Sequence, residues 1–130
     1  MIKFIFCLLF VVSAYATDCT YYSKFDSFYY AGYSVNYSSA MDRLMSSAGY
    51  TRVFELSKAR YIFDLSAKQL NQQPFKKAYS QIALTDTTGH TLFVRQQYSR
   101  CYSMSCSVGA MAKNTNKVFV KSRKKFPRCK

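Results

Sequence analysis

The chain has little of what most enzyme sites are built from. It holds one histidine, His90, and one glutamate, Glu55, among six acidic residues. A Ser/His/Asp site must therefore use His90, which adjoins a turn signal where a solvated residue is the ordinary role. The four glycines do not cluster, so no phosphate-cradling glycine loop is present. The carboxylates Asp18, Asp26, Asp42, Glu55, Asp64 and Asp86 show no pairing of the kind glycoside hydrolysis needs. The apolar run over residues 4–12 spans nine positions, about half of a bilayer-crossing helix, and no later stretch approaches that length.

The opening residues supply an export signal. Lys3 gives a positive start, the short apolar run follows, and Ala14-Tyr15-Ala16 is a small-x-small cleavage pattern. The pattern predicts a signal peptide over residues 1–16 and a mature chain over 17–130, a single domain by size. The expected address is secreted or periplasmic, with no transmembrane segment after signal cleavage.

Cys7 falls inside the signal, leaving Cys19, Cys101, Cys106 and Cys129. An even number in a short exported chain implies two disulfides. Of the three possible pairings, Cys101–Cys106 with Cys19–Cys129 is favoured: one tight loop, and one tie between the chain ends. Closing a loop of about 110 residues stabilises by about 3–5 kcal/mol on the chain-entropy account. The rival is a zinc site, but only one cysteine pair is close and its spacing falls outside the usual range. No cofactor is implied. Thr17 and Asp18 separate the cleavage point from Cys19, so no lipid-attachment cysteine follows it.

Charge is concentrated at one end. Residues 17–130 carry eighteen basic and six acidic groups, a net of +12, and residues 113–130 carry eight of the basic groups with no acid. Such a field attracts polyanions. Lys117, Lys121, Arg123, Lys124, Lys125 and Arg128 are the candidate polyanion-binding residues. Anionic lipid, lipopolysaccharide, glycan and nucleic acid are the candidate partners, and a solvated helix face is the plain alternative. Interleaved Tyr and Phe can also stack bases or sugars, although a core must claim most of these rings.

Local patterns place the elements. The aromatic-rich stretch after residue 17 suits a strand over 24–33. Ser39 with Asp42 forms a capping-box pattern, Met41, Leu44, Met45 and Ala48 fall on one helical stripe, and Gly49 suits a left-handed stop; these predict a helix over 40–48. Strands are predicted over 51–56 and 59–68, the second with Tyr61, Phe63, Leu65 and Ala67 on one face. A hairpin joins strands 79–85 and 91–98 through Asp86-Thr87-Thr88-Gly89-His90, with Gly89 placed for positive φ. Leu92, Val94 and Tyr98 make one face of its second strand. Met111, Val118, Phe119, Ser122 and Phe126 follow a helical period within 108–126, and Pro127 helps end it. Asn36-Tyr37-Ser38 is a glycosylation acceptor pattern that matters only in a eukaryotic host. The predicted fold is α+β: a mainly antiparallel sheet of four to five strands with one or two helices on one face, a two-layer sandwich.

The run Met41-Asp42-Arg43-Leu44-Met45-Ser46-Ser47-Ala48-Gly49-Tyr50-Thr51-Arg52-Val53 resembles the helix–glycine–aromatic–strand step of small bacterial periplasmic or envelope lipoprotein-like α+β domains. In those, a phrase like Ser57-Lys58-Ala59-Arg60-Tyr61-Ile62-Phe63-Asp64-Leu65 starts the next strand, and a turn like Asp86-Thr87-Thr88-Gly89 joins two more. The resemblance covers residues 38–98. It implies a periplasmic address and a non-enzymatic role, and transfers no functional residue.

Three functions remain. The first is an exported non-enzymatic binding protein of the envelope or extracellular space, its basic C-terminal segment contacting an anionic partner. The second is a small secreted ribonuclease-like enzyme using Glu55 as base, His90 as acid, and Arg60 and Arg95 to hold phosphate charge. The third is a protein inhibitor or immunity-type partner. The inventory favours binding over catalysis and gives no catalytic residue.

Overall fold

The computed structural model describes residues 19–24, 27–30, 33–72, 74–102 and 104–129. The expected signal segment, residues 1–16, lies outside them, as do Phe25, Asp26 and Lys130.

The chain runs β1 (Thr20–Ser23), β2 (Ser27–Tyr30), β3 (Tyr33–Asn36), α1 (Ser38–Ser47), β4 (Thr51–Val53), a 3₁₀ turn (Leu56–Lys58), β5 (Tyr61–Leu70), β6 (Lys77–Asp86), β7 (Thr91–Arg100) and α2 (Val108–Ser122). Five strands form one sheet in the order β4-β1-β5-β6-β7, while β2 and β3 pair as a separate hairpin. This is the predicted α+β sandwich, sheet on one side and helices on the other.

Most of the pairing is antiparallel, through the long strands β5, β6 and β7. Period-two alternation dictates this part. Phe63 and Leu65 of β5 and Ala78, Ile82 and Leu84 of β6 are buried, and the register sets Phe63 opposite Leu84 and Leu65 opposite Ile82. The β6–β7 turn is organised by Asp86, whose Oδ1 accepts from the Thr88 amide at 3.0 Å, the Thr88 hydroxyl at 2.6 Å and the His90 amide at 2.8 Å. Gly89 sits there at φ +92°, as its position predicts. The Thr88 hydroxyl and the His90 amide hold the Asp86 carboxyl below its usual range.

The sequence misplaces the first strand. The expected strand over 24–33 is replaced by β1, which ends at Ser23, and by two strands of the separate hairpin. β1 lies between β4 and β5 and runs parallel to both. Its Tyr21 is fully buried and donates its hydroxyl to Asp42 Oδ1 at 2.8 Å. Burial and that carboxylate raise the Tyr21 hydroxyl far above the ordinary tyrosine range. The expected strand over 51–56 is shortened to Thr51–Val53 by the 3₁₀ turn that follows.

The first helix forms where predicted but starts differently. Tyr37 is its N-cap without a side-chain cap bond, and Asn36 Oδ1 instead accepts from the Ser38 amide at 2.7 Å. Ser39 lies inside the helix rather than at its cap, so it forms no box with Asp42, which instead accepts from the Tyr21 hydroxyl and lies 3.8 Å from Arg52. Met41, Leu44 and Met45 are buried as the stripe requires, and Gly49 at φ +90° ends the helix.

α2 starts on Ser107, whose hydroxyl accepts from the Ala110 amide at 3.0 Å. Met111, Val118 and Phe119 are buried against the sheet. So are Asn114 and Thr115, which the apolar pattern leaves unassigned. Asn114 donates to Ser80 Oγ and to the Gln97 carbonyl, both at 2.9 Å, and accepts from Ser99 Oγ at 2.6 Å. Ser80 and Thr115 hydroxyls meet at 2.8 Å. Every member of this buried network is partnered, so it fixes helix register where an apolar seam would permit slippage.

Both favoured disulfides are present. Cys19–Cys129 spans 110 residues with a Cα–Cα distance of 5.9 Å, and Cys101–Cys106 spans five with 5.3 Å. All four thiols are consumed, which replaces the zinc alternative. Two disulfides fit an oxidising compartment. No helix among the described residues is long and apolar enough to cross a membrane.

Candidate functional site

The register of α2 decides where its charges go. With Asn114, Thr115, Val118 and Phe119 turned to the sheet, Lys113, Lys117 and Lys121 are exposed on the opposite side. Their spacing of four residues puts each about 6 Å beyond the last along the axis. Asn116 and Val120 lie among them and complete a shallow outward surface, with Val120 57% exposed. α2 contains no acidic residue. Like charges four apart cost a helix about 0.2–0.5 kcal/mol per pair, and here no carboxylate on the helix offsets that cost.

Lys124 and Lys125 continue the charge as exposed residues of the turn after α2. That turn is tied by the Lys125 and Phe126 amides, which donate to the Ser122 carbonyl at 3.2 and 2.9 Å. Phe126 is buried and stacks edge-on against Phe93 and Tyr50. Arg123 and Arg128 turn elsewhere: with Arg43 of α1, Leu44, Ser47, Ala48 and Phe126 they line a cleft of about 250 Å³.

The six predicted residues thus divide. Lys117 and Lys121 share the α2 stripe, Lys124 and Lys125 extend it, and Arg123 and Arg128 face the cleft. Two further cations were not among them. Lys113 heads the stripe, and its four-residue spacing from Lys117 was a readable signal. Arg43 comes from α1, and nothing local in the sequence ties it to residues eighty positions later.

The aromatic residues also divide. Tyr21, Tyr37, Tyr50, Phe63, Phe119 and Phe126 are buried in the core. Another group lies on the sheet face turned away from the helices. There Tyr79 and Tyr98 lie 5.0 Å apart and Lys68 sits over Tyr79 at 5.5 Å, while Arg100 at the end of β7 sits over Phe75 of the loop before β6 at 4.9 Å. Leu92, Val94 and Tyr98 do share one face of β7, but it is this outer one, and they are 42, 46 and 48% exposed.

The residues of the ribonuclease alternative occupy separate settings. Glu55 is exposed and lies 3.4 Å from Lys58. His90 is exposed at the β6–β7 turn, and its amide is held by Asp86. Among the described residues no hydrogen bond or ion pair joins Glu55 to His90, and none groups three or more His, Cys, Asp or Glu side chains as a metal site. Asn36 of the glycosylation pattern is exposed at the end of β3.

No protein-family model and no curated protein matches the chain. Among solved structures, the crystal structure of a Xanthomonas campestris protein described by the family model DUF330 aligns with 80% of this chain and 78% of its own, at 13% identity and a TM-score of 0.31. A likeness at that level transfers neither fold nor function.

Proposed function

We propose that the chain is an exported, non-enzymatic binding domain whose C-terminal basic surface contacts an extended anionic partner. The observation that carries this reading is the row Lys113, Lys117 and Lys121 on a helix without an acid, set outward by a buried polar network on its other side. Three ammonium groups on one rigid face present a line of charge, and the exposed Lys124 and Lys125 lengthen it. Anionic lipid surfaces, lipopolysaccharide, acidic glycans and nucleic acid all offer repeated negative charge to such a line. Secretion or the periplasm is the proposed setting, consistent with the two disulfides.

The test is retention of the pure, oxidised mature chain on heparin against a salt gradient, with Lys117, Lys121, Arg123, Lys124, Lys125 and Arg128 changed to Gln. Earlier elution of the variant supports the reading, and unchanged elution removes it. A protein partner, as for an inhibitor or immunity-type protein, is the second reading. The outer sheet face with Leu92, Val94 and Tyr98 favours it, and a salt-resistant complex of defined stoichiometry is its signature.

A further inference from the structure

The cleft between α1 and the C-terminal turn differs in kind from the lysine stripe. Arg43, Arg123 and Arg128 meet there from segments eighty residues apart in sequence. None of the three has an ion pair among the described residues. The neighbouring carboxylate, Asp42, is already engaged by Tyr21 and Arg52. Helix-end capping does not account for the three guanidiniums either. The Met45 and Ser46 carbonyls accept from the Ala48 and Gly49 amides, and the Val120 carbonyl accepts from the Arg123 amide. Like charges are thus gathered without a compensating group, against their mutual repulsion.

The walls are fixed independently of the arginines. Cys129 is bonded to Cys19, its amide donates to the Ala48 carbonyl at 2.9 Å, and the Tyr50 hydroxyl donates to the Pro127 carbonyl at 3.1 Å. Arg128 is therefore held beside the end of α1, and Arg43 reaches the same cleft from the middle of that helix. The base is apolar, from the buried Leu44, Ala48 and Phe126. A volume of about 250 Å³ lies below the roughly 300–1,000 Å³ of a drug-sized ligand pocket. It suits one compact anionic group rather than a folded polymer.

We propose that this cleft is a binding site for a single phosphate group, either free or carried at the head of a lipid. Planar guanidiniums match the oxygen edges of phosphate with paired hydrogen bonds, which a lysine cannot do. The apolar base takes the organic side of a phosphate ester. This deepens the polyanion reading for Arg123 and Arg128 alone; Arg43 stands outside it, and so separates the two.

The test is NMR of the oxidised mature chain with nitrogen-15 labelling, following the arginine Nε–H signals during titration with inorganic phosphate at constant ionic strength. A second arm uses phosphatidylcholine vesicles with and without phosphatidate. Saturable shifts shared by Arg43, Arg123 and Arg128 are expected. Arg43→Gln should weaken phosphate binding about tenfold, and Arg43→Lys should weaken it as well because the fork is lost. Lys117→Gln with Lys121→Gln should leave phosphate binding intact while lowering heparin retention. A response to phosphatidate vesicles assigns the lipid source, and a response to inorganic phosphate alone assigns the soluble one. The absence of a saturable shift overturns the site, and so does an equal loss in the Arg43 and lysine variants. Arg43 is exposed, and unchanged amide signals of Ala48 and Cys129 verify that its variants remain folded.

Discussion

The amide of Cys129 donates to the carbonyl of Ala48 across 2.9 Å, so the end of the chain lies against the end of the first helix. The disulfide from Cys129 to Cys19 completes that anchor and carries it to the start of β1. These two contacts of Cys129 join the last segment, the helix layer and the sheet.

Removing this tie has a defined cost. Cys19→Ser with Cys129→Ser frees a loop of 110 residues and should lower unfolding free energy by about 3–5 kcal/mol, measured by urea denaturation. The Cys101–Cys106 bridge closes only a five-residue separation, and its removal should cost less, about 2 kcal/mol. Equal losses from both would contradict the loop-length argument.

The polar network under α2 gives a second prediction. Asn114→Ala removes the partner of Ser80, Ser99 and the Gln97 carbonyl in a buried setting. Each stranded group costs about 1–3 kcal/mol, so a loss of about 3 kcal/mol or more is expected in denaturant titration. Ser99→Ala combined with Asn114→Ala should cost less than the sum of the two single changes, because the pair shares one bond. Additive losses would show that the network is not coupled.

Stability should also fall at high pH. The Tyr21 hydroxyl is buried and held by Asp42, so its folded-state pKa lies above the unfolded value near 10. Below pH about 10 the proton is bound in both states and the stabilisation is intact. Above it the unfolded chain releases the proton first, so stability falls with rising pH, by at most about 1.4 kcal/mol per pH unit for this one group. Burial pushes Tyr37 and Tyr50 in the same direction. Tyr21→Phe should show a shallower decline in urea midpoint above pH about 10 than the parent. Parallel declines would remove Tyr21 as a contributor.

What was legible in the sequence was local. Alternation along β5 and β6, Asp86 and Gly89 at their turn, and the stripe and stop of α1 all follow from neighbours within a few residues. The disulfide pairing was readable because one pair was close in sequence and the other sat near the two ends. What was missed depends on distant partners. β1 gains its strand character from parallel neighbours on both sides, which its own aromatic-rich surroundings do not encode. The alternation of Leu92, Val94 and Tyr98 marks a face but does not say which face the helices cover. Asn114 and Thr115 fall outside the apolar pattern of their helix, and their burial follows only once Ser80 and Ser99 stand opposite them. The basic C-terminal segment was visible by composition, yet its division into a lysine row and an arginine cleft rests on where α1 ends.

The most direct measurement of the proposed function is the salt dependence of binding to heparin for the oxidised mature chain and for Lys113→Gln/Lys117→Gln/Lys121→Gln. Each lysine that contacts the polyanion should contribute to the slope of log affinity against log salt, so the triple change should flatten that slope by about two to three. An unchanged slope, with the variant folded and both disulfides formed, would contradict an α2 surface that meets an extended anion.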